Sequence, residues 1–295
     1  MRKVSVYIPT KNRLNLLKRS LSSVFNQTYD NVEILVADDG STDGSREYLL
    51  ELEGRNLIKL ISMPTSMGAC VARNFAISAS SGDFITGLDD DDYFLPDRIS
   101  NFINSWDKLS KNNERVAGIF SPIRLMYSNR EKIAFTEKRI TADRLRKENC
   151  VGSQIFAPRS NFFGAGLFDP AMPCWQDWDM WLRIADRFGC FVNSDEMSYV
   201  WDMTDPGAHI SNKPEFAIRY GYQLFMHKAG VRGFKARVGP IAALSHYSQV
   251  SLSASEFSAL VLYGQAGRAF RYAVKKTLGE ERVERLRAFV EQKRT

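Results

Sequence analysis

The chain has 295 residues, of which 44% are hydrophobic and 25% charged, and a formal net charge of +6. This composition excludes disordered and fibrous classes and allows one large domain, or a catalytic domain with an appendage, built on a sizeable core. No apolar run reaches the roughly 18 residues that a spanning helix needs.

The chain opens with Arg2 and Lys3, but the apolar stretch after them is only Val4 to Ile8 and ends at Pro9. That is too short for a signal peptide, so the expectation is an unsecreted, cytoplasmic protein. Val4–Ile8, short and rich in β-branched residues, reads as a strand. Leu14, Leu17, Leu21, Val24 and Phe25 then recur at helical spacing. Strands are expected at 32–37, 57–62 and 83–88, and helices at 45–52 and 71–79. Pro96 suits the first position of a helix running to Leu109. From Gly118 to Cys190 the pattern is less regular, and 211–230 and 256–292 look helical. Strands separated by helices predict a mainly parallel α/β sheet, with ligands bound beyond the C-terminal ends of its strands.

Cys70, Cys150, Cys174 and Cys190 have no metal-site spacing and read as reduced, buried thiols. Charge is uneven along the chain. Residues 205–295 hold 15 Lys and Arg against 7 Asp and Glu, whereas residues 1–204 hold 25 against 27. A basic C-terminal third can meet phosphates, on an anionic membrane surface or on nucleic acid, or can simply be a solvated surface.

Four segments could carry chemistry. Asp89-Asp90-Asp91-Asp92 follows an apolar strand directly, and clustered carboxylates there suit a hard divalent cation; the alternative is a solvated turn. Asp38-Asp39-Gly40-Ser41-Thr42-Asp43 also follows a strand, as a turn with a helix cap or as an acceptor for ribose or base hydrogen bonds. Arg73, in Gly68–Asn74, offers a planar fork matched to phosphate, or a surface ion pair. The segment 175–183 opens a helix in which Asp177 could act as a base on a sugar hydroxyl, with Trp175 and Trp178 stacked on the sugar. The same segment could be a buried tryptophan-rich face with an acidic start favoured by the helix dipole.

Taken in order, 4–13, 37–43, 68–74, 88–96 and 168–170 leading into 176–179 resemble the family 2 inverting glycosyltransferases, over about residues 3–212. The resemblance implies a GT-A fold, Rossmann-like, with a mainly parallel sheet flanked by helices, and a helical basic C-terminal extension. It divides the chain into a catalytic domain at 1–212 (nucleotide-binding half 1–92, acceptor half 93–212) and a helical region at 213–295 that associates with a membrane or a second subunit.

The resemblance also implies roles for single residues. Pro9, Thr10, Lys11, Arg13, Asp39, Arg73, Asp89 and Asp90 would bind the nucleotide, Asp91 would bind Mn²⁺ or Mg²⁺ with His209, and Asp177 would be the catalytic base. Lys11 stands where many relatives have a tyrosine, and Gln176 where many have a glutamate. Gln265-Ala266-Gly267-Arg268 is followed by Ala269 rather than the tryptophan of processive members, which implies transfer of a single sugar. The implied reaction moves a hexose or N-acetylhexosamine from a UDP-sugar to a glycan or lipid-linked acceptor, in polysaccharide or lipopolysaccharide synthesis, at the inner face of a membrane.

Phe257, Leu260, Val261, Phe270 and Val274 would form an apolar stripe beside Arg268, Arg271, Lys275 and Lys276, able to lie on an anionic surface, or to pack on the catalytic domain or on a second subunit as a homodimer. A sugar-1-phosphate nucleotidyltransferase would open with a glycine-rich loop, and a dehydrogenase with G-x-G-x-x-G; residues 9–13 contain no glycine. A nucleic-acid partner fits poorly, since the motifs sit in the acidic part of the chain. A degenerate nucleotide- or carbohydrate-binding module would need a damaged base or metal motif, and both motifs are present.

Overall fold

The structure is a computed structural model that describes residues 1–112, 114–128, 130–204 and 213–278. The strands are β1 Val4–Thr10, β2 Val32–Asp38, β3 Lys59–Ser62, β4 Phe84–Gly87, β5 Tyr93–Phe94, β6 Val116–Phe120, β7 Ile123–Tyr127, β8 Arg130–Ala134, β9 Arg139–Ile140, β10 Phe156–Pro158, β11 Cys190–Asn193 and β12 Tyr199–Asp202. The helices are α1 Leu14–Phe25, α2 Ser45–Gly54, α3 Ala69–Ala79, α4 Arg98–Lys111, α5 Ala142–Leu145, α6 Arg159–Gly164, α7 Gln176–Phe188, α8 Glu215–Lys228, α9 Val238–Leu244, α10 Ala254–Leu262 and α11 Ala266–Leu278.

Every residue of β1 is buried, as befits a strand covered on both faces. β1 pairs in parallel with β2 and β4, and β2 with β3. The sheet continues through β10, β6, β11 and β9, where β6 and β11 pair in parallel and the other neighbours are antiparallel. A smaller sheet runs β5-β12-β7-β8. The apolar spacing of α1 places Leu17, Leu21 and Val24 in the same buried core as Val6, Ile8 and Val36. Gly87, the last residue of β4, is required by close packing. A Cβ there would lie 2.0 Å from Gln154 Oε1 and 2.3 Å from Tyr7 Cζ.

Packing divides the described residues into two units. The first holds 1–145, 149–172 and the described residues from 176 to 204; it contains both sheets and α1–α7. The second holds Arg146–Glu148, Pro173–Trp175 and the described residues from 213 onward. Its core gathers Val238, Ile241, Ala242, Ala259, Leu260 and Ala269, with Tyr222, Leu252 and Phe257 packed on them.

Two helix expectations change. α4 begins at Arg98 rather than Pro96, because the Arg98 amide closes a turn on Leu95 and the Pro96 carbonyl accepts from Thr28. The helix expected over 256–292 is broken after Leu262, where Gly264 adopts φ +80°; residues beyond 278 lie outside the described set. The break divides the expected apolar stripe. Leu260 joins the unit's core, whereas Val261 and Phe270 are exposed. Among the described residues no helix is long and apolar enough to cross a membrane. None of the four cysteines is in a disulfide; Cys70 and Cys150 are buried, Cys174 and Cys190 only partly so.

Candidate active site

The C-terminal ends of β1, β2 and β4 bring three of the sequence segments together. Thr10, at the end of β1, donates through Oγ1 to Asp90 Oδ2 at 2.7 Å. Arg13, three residues on, reaches Asp90 Oδ1 at 3.0 Å and Asp91 Oδ2 at 2.8 Å from a single nitrogen. Asn12, with φ +53°, donates its amide to Ser41 Oγ and accepts the Thr42 amide, tying the first segment to the second. Pro9 is buried in the strand, and Lys11 is exposed.

The four aspartates have four different surroundings. Asp89 Oδ1 accepts from Arg73 Nη2 at 3.0 Å and from Gln154 Nε2 at 3.1 Å, and Gln154 in turn accepts from the Tyr7 hydroxyl at 2.8 Å. Asp90 is buried against Thr10 and Arg13. Burial pushes its pKa up to about 6, with Arg13 opposing the rise and Asp91 adding to it. Asp91 faces Arg13, while its backbone carbonyl accepts from Arg19, which also pairs with Asp202. Asp92 turns inward, accepting from the Tyr199 hydroxyl at 2.6 Å and the Asp202 amide at 3.2 Å; burial raises its pKa, and Asp89 and Asp91 add to the rise.

Asp39 is engaged by the loop that leads into α3. Its carboxylate accepts from Ser66 Oγ at 2.7 Å, from the Met67 amide at 2.6 Å and from the Gly68 amide. Asp38 accepts from the Ser41 amide and Arg46, so this carboxylate is taken up by the turn.

α3 connects the acidic run to the 168–179 segment. Asn74 exchanges hydrogen bonds with the Phe168 backbone at 2.7 and 2.9 Å. Arg73 lies over the Phe168 ring, 5.4 Å from its centroid, and spans two partners: Nη2 to Asp89 and Nη1 to Gln176 Oε1 at 3.0 Å. Burial disfavours the Arg73 charge, but Asp89 and the other groups around it more than offset this and raise its pKa.

Asp177 follows Gln176 on the first turn of α7 and accepts from Asn149 Nδ2 at 2.9 Å. It keeps part of its surface accessible while protein encloses it on the other sides. Burial pushes its pKa up to about 6; the Trp178 amide and Arg73 pull it down, and Asp89 pushes it further up. A carboxylate poised there is ionised at neutral pH and still basic enough to take a proton.

The structure corrects the two tryptophans read as acceptor platforms. Trp178 is 2% exposed and donates its indole N–H to the Leu145 carbonyl. Trp175 is 9% exposed, donates to the Tyr247 hydroxyl at 3.0 Å and meets Tyr222 and Phe225 edge-on. Neither ring has a face free to stack on a sugar. His209 lies outside the described residues. Tyr7, Arg19, Asn149, Gln154, Tyr199 and Asp202 were not singled out from the sequence. Only Tyr7 carried a signal, a phenol between the aliphatic Val6 and Ile8 of a strand.

Among the described residues no three His, Cys, Asp or Glu side chains gather as a metal cage. The available donors still fit a hard cation shared with a ligand. Asp89 and Asp91 side chains are 21% and 10% exposed, and both offer carboxylate oxygens. Mg²⁺ and Mn²⁺ are commonly held this way, by one or two carboxylates with phosphate oxygens and water completing the shell.

Residues 5–157 match the sequence profile of Glycosyl transferase family 2. WcaA of Escherichia coli strain K12, a protein assigned to colanic acid biosynthesis as a glycosyl transferase, is 30% identical over 228 residues, covering 76% of this chain and 81% of WcaA. WfgD of Escherichia coli, a UDP-Glc:alpha-D-GlcNAc-diphosphoundecaprenol beta-1,3-glucosyltransferase, is 38% identical over 130 residues, 44% of this chain and 46% of WfgD. In fold, the chain is similar to Staphylococcus aureus TarS 1-349 in complex with UDP-GlcNAc, with a TM-score of 0.63 at 16% identity over 93% of this chain and 90% of that one. It is also similar to the mannosyltransferase PcManGT of Pyrobaculum calidifontis in complex with GDP-Man and Mn²⁺, with a TM-score of 0.56 at 16% identity over 95% and 88%. The sheet order, the carboxylates at its C-terminal edge and these likenesses agree: the chain belongs to glycosyl transferase family 2.

Proposed function

We propose that the protein transfers one hexose or N-acetylhexosamine from a UDP-sugar to an acceptor hydroxyl, with inversion at the anomeric carbon, in the synthesis of a surface polysaccharide or lipopolysaccharide. One observation carries the reading. Arg73 joins Asp89, on the acidic run, to Gln176, the chain neighbour of Asp177, so one side chain links the acidic run to the helix turn that carries a carboxylate with its pKa pushed up to about 6. The complex of TarS with UDP-GlcNAc and the UDP-Glc donor of WfgD support a uridine nucleotide.

In this mechanism Asp177 takes the proton of the acceptor hydroxyl. The freed oxygen forms a bond to the anomeric carbon on the face opposite the diphosphate. The bond to the diphosphate oxygen breaks, and its electron pair leaves on UDP. A single base suffices because no glycosyl-enzyme intermediate forms. Asn149 orients the Asp177 carboxylate, while Lys11, Arg13 and Arg73 would help to offset the leaving group's charge. Asp91, with Asp89 beside it, would hold Mn²⁺ or Mg²⁺, which supplies positive charge to a departing diphosphate. Asp39 would accept from the base edge through Oδ2, exchanging the Ser66 hydroxyl for the nucleotide.

The test is transfer by wild type and Asp177→Asn, with radiolabelled UDP-glucose, UDP-galactose and UDP-GlcNAc and with glycan and lipid-linked acceptors. Asparagine keeps an oxygen for Asn149 but cannot take the proton, so transfer should fall about 10²–10⁴-fold while UDP binding is retained. Equal transfer by the two proteins would remove Asp177 from the mechanism.

A further inference from the structure

The helical unit contains a cavity of about 390 Å³ that the transfer mechanism does not use. Its walls include Tyr222, Gln223, Met226, His227, Arg232 and Arg237, all within the same unit. The last turn of α8 forms one side. Gly230, with φ +62°, closes that helix, so the Val231 amide donates to the Met226 carbonyl and the Gly230 amide to the His227 carbonyl. Those carbonyls are already hydrogen-bonded. The polar groups that the walls can offer a ligand are therefore mainly donors: two guanidiniums, an imidazole, a phenol and an amide.

The charges are unbalanced. Residues 213–278 carry ten Lys and Arg against two Glu. Both glutamates, Glu215 and Glu256, pair with Arg219, at 2.8 and 3.2 Å. Glu148, the acidic residue of the 146–148 segment, pairs with Arg268 at 2.6 Å. Among the described residues Arg232 and Arg237 have no carboxylate partner. Burial pushes the pKa of the Tyr222 phenol up, and the Arg237 guanidinium opposes it, which places that charge beside the cavity wall. Two like charges at one cavity repel each other, and a bound anion relieves the repulsion. A guanidinium pair matches the oxygens of a phosphate in particular.

Between the two arginines the chain exposes Phe234. Its ring is 45% exposed and lies 5.9 Å from that of Tyr263, itself 42% exposed. An apolar pair that includes a residue set between two guanidiniums in sequence, neither of them paired with a carboxylate among the described residues, fits a ligand with a phosphate head and a hydrocarbon tail. We propose that this cavity binds the phosphate or diphosphate of an amphiphilic ligand, with Arg232 and Arg237 on the phosphate and Phe234 with Tyr263 under the first carbons of the chain. That the ligand is the acceptor rests on the transferase reading; that the site binds it does not.

The experiment is calorimetric titration of the full chain in EDTA, which withholds the cation that the donor site needs for a diphosphate, using farnesyl diphosphate and, separately, inorganic pyrophosphate. Wild type should bind farnesyl diphosphate saturably, and the double variant Arg232→Gln/Arg237→Gln at least tenfold more weakly. Phe234→Ser should weaken farnesyl diphosphate and leave pyrophosphate unchanged. Arg271→Gln, an exposed arginine outside the cavity, should change neither. Pyrophosphate bound as tightly as farnesyl diphosphate would keep the anion site and assign it to a soluble phosphate, overturning the hydrocarbon part. No saturable binding of either probe, or an Arg271→Gln loss as large as that of the double variant, would overturn the site itself. UDP stabilisation with Mn²⁺, measured on the same protein preparations without EDTA, keeps failure here distinct from failure of the transferase reading.

Discussion

The Arg13 guanidinium donates to the Asp91 carboxylate across 2.8 Å, and the same nitrogen reaches Asp90 at 3.0 Å. Arg13 thus lies on the carboxylate proposed to take the cation. A charged hydrogen bond of this kind contributes about 1.5–3 kcal/mol. At pH 8 and without nucleotide, Arg13→Gln should bind Mn²⁺ about tenfold more tightly than wild type, and UDP more weakly. Electron paramagnetic resonance of free Mn²⁺ reads the first and calorimetry the second. Weaker Mn²⁺ binding by the variant would mean that Arg13 orders Asp91 for the cation rather than competing with it.

Asp177 carries a cost in stability. Its folded pKa, about 6, lies above the ordinary carboxylate value of 3.8. A raised carboxylate pKa destabilises the fold at pH values above it, and the penalty shrinks as pH falls from about 6 towards 3.8. Asp177→Asn should therefore melt higher than wild type at pH 8, with the difference narrowing by pH 5. In wild type, transfer should fall as pH drops through about 6, because the base becomes protonated. A variant that melts lower at pH 8 would contradict the first expectation, and transfer unchanged between pH 7 and 5 the second.

Arg73→Lys keeps the charge and loses the fork. Lysine cannot hold both Asp89 and Gln176 in one plane, as the two guanidinium nitrogens do at 3.0 Å each. Transfer should fall at least tenfold and the melting temperature should drop. Full activity in the lysine variant would show that charge alone, without the bridge, is enough.

Tyr199→Phe removes one of the two donors that Asp92 uses, and Asp92 is 1% exposed. Leaving a buried acceptor short of a partner costs about 1–3 kcal/mol, more when it is charged. Urea unfolding should report a loss of that size. An unchanged midpoint would mean that Asp92 is protonated or otherwise satisfied.

The strand-and-helix alternation up to residue 88 was legible because each strand of the parallel half is a short β-branched run between amphipathic helices. β1 and β2 each extend past the expected end, to Thr10 and Asp38, because polar residues complete the pairing where the site begins. The carboxylate run was legible as a motif. Its inner wiring was not, since the partners of Asp92, Tyr199 and Asp202, lie more than a hundred residues away. Trp175 and Trp178 misled because a tryptophan that stacks on a ligand and one that fills a core look alike in sequence; here their indole N–H groups are used by Tyr247 and Leu145. The break at Gly264 was readable in principle, since glycine in an amphipathic run marks a helix end as readily as a tolerated interior residue.

The central claim is a donor site for a uridine diphosphate sugar that depends on a divalent cation. Thermal unfolding with UDP, GDP and dTDP, each with Mn²⁺ and with EDTA, tests it most directly. A ligand at 100 times its dissociation constant stabilises by about 2.7 kcal/mol, enough to move the midpoint visibly. The account predicts a rise with UDP and Mn²⁺ that EDTA largely removes, and a smaller effect from GDP and dTDP. No rise with any of the three nucleotides in Mn²⁺, at several times the usual millimolar range of weak sites, would contradict it.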